Sequence, residues 1–303
     1  MMNILEALWN MLPSTLMMAA PILIAASGGM ICERAGVVNI ALEGLMGIGA
    51  MAAATTHVFL ESSVSFSIPL AFIAAAAAGC LFSLVHAFAS ITLRADQIIS
   101  GTGINLLSNG MTLFFCQLLF RGDRTPSYRM GMSAVGGIYP TAWISLIILG
   151  AAAFMLYRRP YGLRLRAAGE HPQALASAGV NVIRIRYTAV LISGALAGAA
   201  GACIVLTQDI QFTVSTINGK GFIALAAVSF GRWLPLGILG SSFLFGFSSA
   251  LAVNIINITD LRSLPSEFFS LLPYLITLLT LVIFSGKDYA PRAVGQPYDK
   301  KGD

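Results

Sequence analysis

The chain has 303 residues, of which 57% are apolar, 10% charged and 10% aromatic, and its mean hydropathy is +0.81. A soluble globular domain carries about 25% charged residues and about 45–50% apolar ones, so this chain lacks the charge to cover a water-exposed surface. That excludes a soluble enzyme, a disordered protein and a nucleic-acid binder built on a basic face, and leaves a polytopic helical membrane protein.

The N-terminus, MMNILEALWN, holds Glu6 but no Lys or Arg, and so lacks the positive region of a cleavable signal peptide. Apolar runs then recur at roughly 11–32, 36–60, 67–93, 96–120, 139–157, 187–207, 219–231, 234–258 and 265–286; about 18 such residues suffice to cross a bilayer core. The seventh is too short to cross alone unless it is broken or re-entrant, and polar residues interrupt the second near its start. The expectation is an all-α fold of about eight to ten transmembrane helices, forming one transmembrane domain over 1–303. Alanine and glycine runs such as AFIAAAAAG at 71–79 and SGALAGAAGA at 193–202 suit close helix packing.

Two glycine-bounded segments, ERAGVVNIALEG at 33–44 and NGKGFIALAAVSFG at 218–231, occupy comparable places in the two halves. Interrupted apolar segments in matching positions point to a transport site between inverted repeats. In the first of them Glu43 follows Asn39 by four residues, which on a helix puts both side chains on one face. A carboxylate near a bilayer centre costs about 2.5–3.5 kcal/mol by insertion scales. Such a residue faces a water-filled cavity or a partner, and both a cavity wall and a helix-packing hydrogen bond remain open.

The fourth span, DQIISGTGINLLSNGMTLFF, sets Gln97, Gly101, Asn105 and Asn109 at successive four-residue steps, with Ser108 beside them. Each step drifts about 40° on a helix of 3.6 residues per turn, so the four share one broad face. Amides offer both donors and acceptors, as recognition of an uncharged, hydroxyl-rich solute requires. The same stripe would serve equally as hydrogen bonding between packed helices. Phe114, Phe115, Phe222, Phe230 and Trp233 lie near these segments, and a purine or pyrimidine could stack on any of them. Trp233 beside Arg232 reads better as an interfacial anchor.

Net charge is +5, and its placement is more informative. Six arginines (158, 159, 164, 166, 184 and 186) crowd the loop 158–186 with a single acid, Glu170. Positive charge resists translocation, so this loop is expected in the cytoplasm, as is the tail 287–303 with Lys287, Arg292, Lys300 and Lys301. Alternation then leaves 121–138 outside, a mild violation given Arg121, Arg124 and Arg129. Within the basic loop, Pro172 at a first helical position, QALASA, and Gly179 as a C-terminal cap predict a short helix at 172–178. So short a helix needs a partner to hold it.

Cys32, Cys80, Cys116 and Cys203 stand singly in apolar surroundings and suggest neither a disulfide framework nor a metal site. The three histidines are far apart, and there is no phosphate loop, nucleophile elbow or zinc motif. Nothing here supplies the chemistry of an enzyme.

Together, ERAGVVNIALEGLMGIGA (33–50), DQIISGTGINLL (96–107), YGLRLRAAGEHPQALASAGVNV (161–182) and GKGFIALAAVSFGRWLPLGIL (219–239) resemble the membrane permease subunits of bacterial ABC importers. The branch is the nucleoside and simple-sugar permeases, with branched-chain amino-acid permeases more distant. The resemblance implies a type II importer fold with two inverted-repeat halves, and two permeases, like or unlike, paired around a central pathway. It implies a cytoplasmic ATPase that uses ATP and Mg, while this chain binds no cofactor. It also implies an extracytoplasmic solute-binding protein and residence in a bacterial cytoplasmic (inner) membrane, with the C-terminus in the cytoplasm.

Carried onto this sequence, ATPase coupling falls to Arg166, Gly169, Glu170, His171 and Pro172, with the docking helix built from the last four. From the polar and aromatic residues themselves, the pathway wall is expected at Asn39, Glu43, Gln97, Asn105, Asn109 and Phe222. Sugar members typically carry an Asp in the segment matching Val38–Ala41, where Asn39 stands here with Glu43 beyond it, which favours a nucleoside. Within the nucleoside pattern a Gly is usual where Ala41 stands. The alternatives are a ribose-type permease or an ion-coupled carrier with Glu43 as its proton site.

Overall fold

The structure, a computed structural model, describes residues 4–129, 131–258 and 289–299, and between the last two only Leu271, Leu275, Leu278, Leu279 and Val282. The expected span at 265–286 and the loop before it lie outside the described residues. Among the described residues ten α-helices follow in order: α1 Ile4–Arg34, α2 Leu42–Leu60, α3 Ser67–Ala87, α4 Gln97–Phe120, α5 Pro140–Arg158, α6 Pro160–Glu170, α7 Pro172–Ser177, α8 Val182–Thr207, α9 Lys220–Phe230 and α10 Pro235–Ile258. A π-helical turn, Phe88–Thr92, ends α3. Among the described residues there are isolated bridges but no strands.

Among the described residues, length and composition make six helices (α1, α3, α4, α5, α8, α10) long and apolar enough to cross a membrane. The chain is thus an all-α polytopic membrane protein. Helix α8 is the hub, packed against α1, α2 and α3. Its glycines explain how. A Cβ on Gly201 would strike the Met46 carbonyl of α2, and one on Gly198 the Ala75 carbonyl of α3. Backbones this close exclude any side chain, which is how membrane helices gain van der Waals contact without a hydrophobic drive. Overpacking of this kind costs about 1–3 kcal/mol. Gly201→Val is therefore expected to lower the thermal midpoint in detergent by about 3–10 °C. Gly150→Ala on α5, with nothing within 4 Å, should leave it unchanged.

Hydrogen bonds define two ends of the bundle. At one, Arg34 Nε and Nη2 donate to the Trp233 carbonyl at 3.2 and 3.0 Å, and Ala293 N donates to the Gly169 carbonyl at 2.8 Å. There too, Arg94 meets Asp299 at 2.8 Å. At the other, Tyr128 N donates to the Ile210 carbonyl and Arg129 N to Glu61 Oε1. All six arginines of 158–186 lie at the first end with Arg34, Arg94, Arg232 and Arg292. Arg121, Arg124 and Arg129 lie at the second.

The loop 158–186 holds more structure than its charge suggested. Pro160 starts α6, and α8 begins at Val182, with Asn181 Oδ1 accepting from Arg184 N. Arg184 and Arg186 therefore sit on α8 rather than in a loop. Gly169, Glu170, His171 and Pro172 do not form one helix: α6 ends at Glu170, His171 is non-helical at φ −143° and ψ 78°, and α7 begins at Pro172. The expected stop at Gly179 is there, with φ +81°.

Candidate functional site

The second apolar run is not a continuous helix. Gly36 turns at φ +89°, residues 37–39 belong to no helix or strand, and α2 starts only at Leu42. Asn39 and Glu43 consequently do not share a helix face. Side chains of α4 and α3 hold this stretch in place of helical bonds. Val38 N donates to Gln97 Oε1 at 2.7 Å, and His86 Nε2 meets the Val38 carbonyl at 3.1 Å. Asn105 Nδ2 donates to the Ile40 carbonyl at 3.0 Å, while its Oδ1 accepts from Gly44 N at 2.8 Å. Ser108 Oγ adds a bond to the Gly44 carbonyl at 2.6 Å. The amide stripe of α4 thus splits: Gln97, Gly101 and Asn105 are buried against 38–44, while Asn109 is exposed. Asn39 is fully buried, donates to Ser193 Oγ at 2.8 Å, and its Oδ1 has no partner.

Glu43 reaches in another direction. Its Oε1 accepts from Gly219 N and its Oε2 from Gly221 N, both at 2.7 Å. Helix α9 is only 11 residues long, and its first-turn N–H groups have no intrahelical acceptor. The carboxylate caps two of these donors and sits at the positive end of the helix dipole. Gly221 permits the approach, because a Cβ there would stand 2.5 Å from Glu43 Cα. The far end of α9 is tied down too, since Trp233 Nε1 donates to Glu33 and Arg34 holds the Trp233 carbonyl.

A cavity of about 240 Å³ opens beside this junction. Glu43, Asn109, Thr112, Ser215 and Asn218 give it polar groups, and Phe212, Val214 and Ile217 give it apolar wall. A second hollow of about 460 Å³ shares Ser215 and Asn218 with it and opens through Gln208, Asp209, Gln211 and Lys220. Burial raises the Asp209 carboxyl above its ordinary value, and Lys220 opposes that shift. A mixture of apolar wall and a few convergent polar groups is the usual make-up of a small-molecule site.

The structure therefore brings Glu43 and Asn109 to one cavity, whereas Asn39, Gln97 and Asn105 bond within the bundle beside it. Phe222 is 48% exposed on α9 and does not line the cavity. Phe230 packs on Phe245, ring centroids 5.7 Å apart. Thr112, Phe212, Ser215 and Asn218 were not singled out from sequence, although Asn218 opens the glycine-bounded segment NGKG. The free cysteines are buried except Cys80, which is half-buried. Among the described residues no cluster of three metal-ligating side chains occurs.

A broken helix and a half-helix meeting at a polar hollow inside an all-helical membrane bundle define a solute-translocating permease. Residues 11–281 match the family described as the permease component of the branched-chain amino acid transport system, and the chain belongs to that family. It is 40% identical to the guanosine ABC transporter permease protein NupQ of Bacillus subtilis, over 99% of both chains. It is 36% identical to the nucleoside ABC transporter permease protein NupC of Lactococcus lactis, again over 99% of both. The putative glucose ABC transporter permease protein TsgC13 of Haloferax volcanii is 34% identical, over 80% of this chain and 76% of that one. No solved structure matches the chain. These relatives are membrane permeases of ABC transporters, and this chain is likewise a multi-pass permease, not an enzyme.

Proposed function

We propose that the chain is the permease subunit of an ATP-driven importer for nucleosides, and that Glu43, Asn109, Thr112, Ser215 and Asn218 line its solute pathway. The observation that carries the reading is the α9 half-helix, capped by Glu43 beside a cavity of mixed polarity. Full-length similarity to two nucleoside permeases supports the substrate class.

On this reading the arginine-rich end and the C-terminus face the cytoplasm of a bacterial cell, since positive charge stays inside. A cytoplasmic ATPase, which alone uses ATP and Mg, docks at α6–α7. A second permease, identical or homologous, completes the pathway, and an extracytoplasmic binding protein delivers solute to the hollow at 208–218. ATP binding closes the ATPase dimer, pushes on α7 and switches the bundle between outward and inward openings.

The test is uptake of labelled guanosine, uridine and ribose in cells with and without the chain, under ATP depletion and, separately, with an uncoupler. ATP-dependent nucleoside uptake that vanishes with the chain is expected. Loss of ribose uptake alone would make it a sugar permease, the reading that similarity to TsgC13 favours. Uptake sensitive to the uncoupler but not to ATP depletion would make it a secondary carrier. Glu170→Lys and deletion of Pro172 should each cut uptake at least about tenfold, by losing about 1.4 kcal/mol or more of coupling free energy, while membrane insertion and solute binding persist. Transport that survives both changes removes the docking assignment.

A further inference from the structure

Helix α9 is pinned to residues 33–43 at both ends, and the two pins differ in kind. At its start the Glu43 carboxylate caps ordinary helix N–H groups. Past its other end the chain turns through Arg232 and Trp233, both left-handed, at φ +52° and +53°. Two consecutive side-chain-bearing residues in that region are strained, and such a turn persists only where its surroundings hold it. The holders are Glu33 and Arg34, the last two residues of α1. Glu33 Oε2 accepts from Trp233 Nε1, and Arg34 Nε and Nη2 donate to the Trp233 carbonyl at 3.2 and 3.0 Å. Glu33 is 6% exposed, and a carboxylate so buried is retained only where it is bonded.

The end of α9 is otherwise built into the start of α10. A Cβ on Gly237 would stand 2.2 Å from the Gly231 carbonyl, and Ser241 Oγ donates to the Ala227 carbonyl at 2.7 Å. Where α9 lies along α1 the fit is close but apolar: a Cβ on Gly29 would stand 3.1 Å from Val228 Cγ2. Apolar contact between membrane helices has no hydrophobic drive behind it. The polar bonds at Trp233 therefore weigh heavily in keeping this end of α9 against α1. Phe222 and Ser229, seven residues apart and so on one face of α9, are exposed.

We propose that Glu33, Arg34 and Trp233 form a latch for α9. Closed, it holds the helix against α1; released, it lets the arginine-rich end of α9 swing toward the face of Phe222 and Ser229. This rests on the permease reading above. Helix α9 starts at the cavity and ends at the arginine-rich end, where an imported solute leaves, so its position bears on the route between them. The strained turn gives the latch a direction: held, it is left-handed, and released, it relaxes. A cap at Glu43 and a latch at Trp233 make one half-helix a two-state element. The three latch residues are positioning residues, acting on α9 and not on the solute.

The test measures how readily the contact between α9 and α1 opens. Val228→Cys places a thiol at that contact in the full-length chain, held in lipid nanodiscs where a membrane-impermeant maleimide reaches both ends. Peptide mapping reads labelling at residue 228 and, as an internal control, at the fully buried native Cys203. Trp233→Phe keeps an aromatic ring and removes its donor, Glu33→Leu removes the acceptor, and Glu33→Gln keeps one acceptor oxygen. Trp233→Phe and Glu33→Leu should each speed labelling at residue 228 about tenfold or more, as a tilted two-state equilibrium requires, with Cys203 unlabelled. Glu33→Gln should stay within about threefold of the intact latch. If Glu33→Leu fails to insert, Trp233→Phe decides alone. Unchanged labelling in the variants overturns the latch, as does labelling that rises at residue 228 and Cys203 together, which reports loosened packing. Uptake of labelled guanosine by the intact chain is measured alongside. Uptake with no change in labelling overturns the latch and leaves the permease reading standing, whereas an intact chain that imports no solute removes both.

Discussion

Glu43→Ala is expected to lower nucleoside uptake more than tenfold while the protein still inserts in the membrane, and Glu43→Gln to lower it only a few-fold. The carboxylate accepts from Gly219 N and Gly221 N at 2.7 Å. Alanine leaves both donors without a partner where water is scarce. An unsatisfied buried donor costs about 1–3 kcal/mol, so losing both acceptors costs about 2–6 kcal/mol. Each 1.4 kcal/mol is a tenfold change in an equilibrium constant, enough to undock the start of α9 and collapse the cavity beside it. Glutamine keeps one acceptor oxygen and turns an amide N–H toward the other donor, so it forfeits about half of this. Measured uptake with labelled guanosine, normalised to protein in the membrane, separates the three proteins. The graded series also discriminates mechanism. If Glu43 carried a proton, Gln would be as inactive as Ala, because neither titrates. Wild-type uptake by Glu43→Ala would show that the cap has no part in transport.

How much of this site the sequence discloses depends on the range of the interactions involved. The half-helix α9 is legible because its limits are local: Gly219 at φ +83° before it and Gly231 after it. The break at 35–41 is only half legible. Its apolar letters, AGVVNIA, read as a continuing span, and the bonds that replace helical ones there come from Gln97 and Asn105, about 60 residues away in sequence. No periodicity within 33–44 can disclose them. The α4 stripe reads as one face from its spacing, yet what each residue meets is a tertiary fact: Gln97, Gly101 and Asn105 are buried and Asn109 is exposed. Helix α6 was hidden by its own charge: RRPYGLRLRAAGE resembles a loop by composition, although Pro160 at a helix start was a usable signal. The bond from Arg186 to the Gln296 carbonyl was out of reach, since it joins residues 110 positions apart.

Gly169→Ala is expected to leave ATPase docking and ATP hydrolysis intact while transport per ATP falls at least tenfold. The reason is where Gly169 sits. It is the last residue but one of α6, and an added Cβ would run into the Arg34 carbonyl and stand 3.2 Å from Gly36 N. A backbone contact cannot yield as a flexible side chain can, so α6 has to move away from the Gly36 turn. That turn leads straight into 37–41, whose far end carries Glu43 and the cap on α9. Non-helical chain held at Val38, Asn39 and Ile40 by side-chain bonds is expected to transmit displacement along its length. Backing α6 off by an ångström or so therefore disconnects the docking surface from the cavity without altering the outer face that a partner touches. A coupling free energy of about 1.4 kcal/mol lost at this contact is a tenfold loss of linkage. The measurement is ATP hydrolysed per nucleoside imported in reconstituted vesicles, with Gly150→Ala as the control where a Cβ meets nothing. Unchanged stoichiometry in Gly169→Ala would route coupling elsewhere. Parallel loss of hydrolysis and transport would mean that the substitution had damaged docking instead.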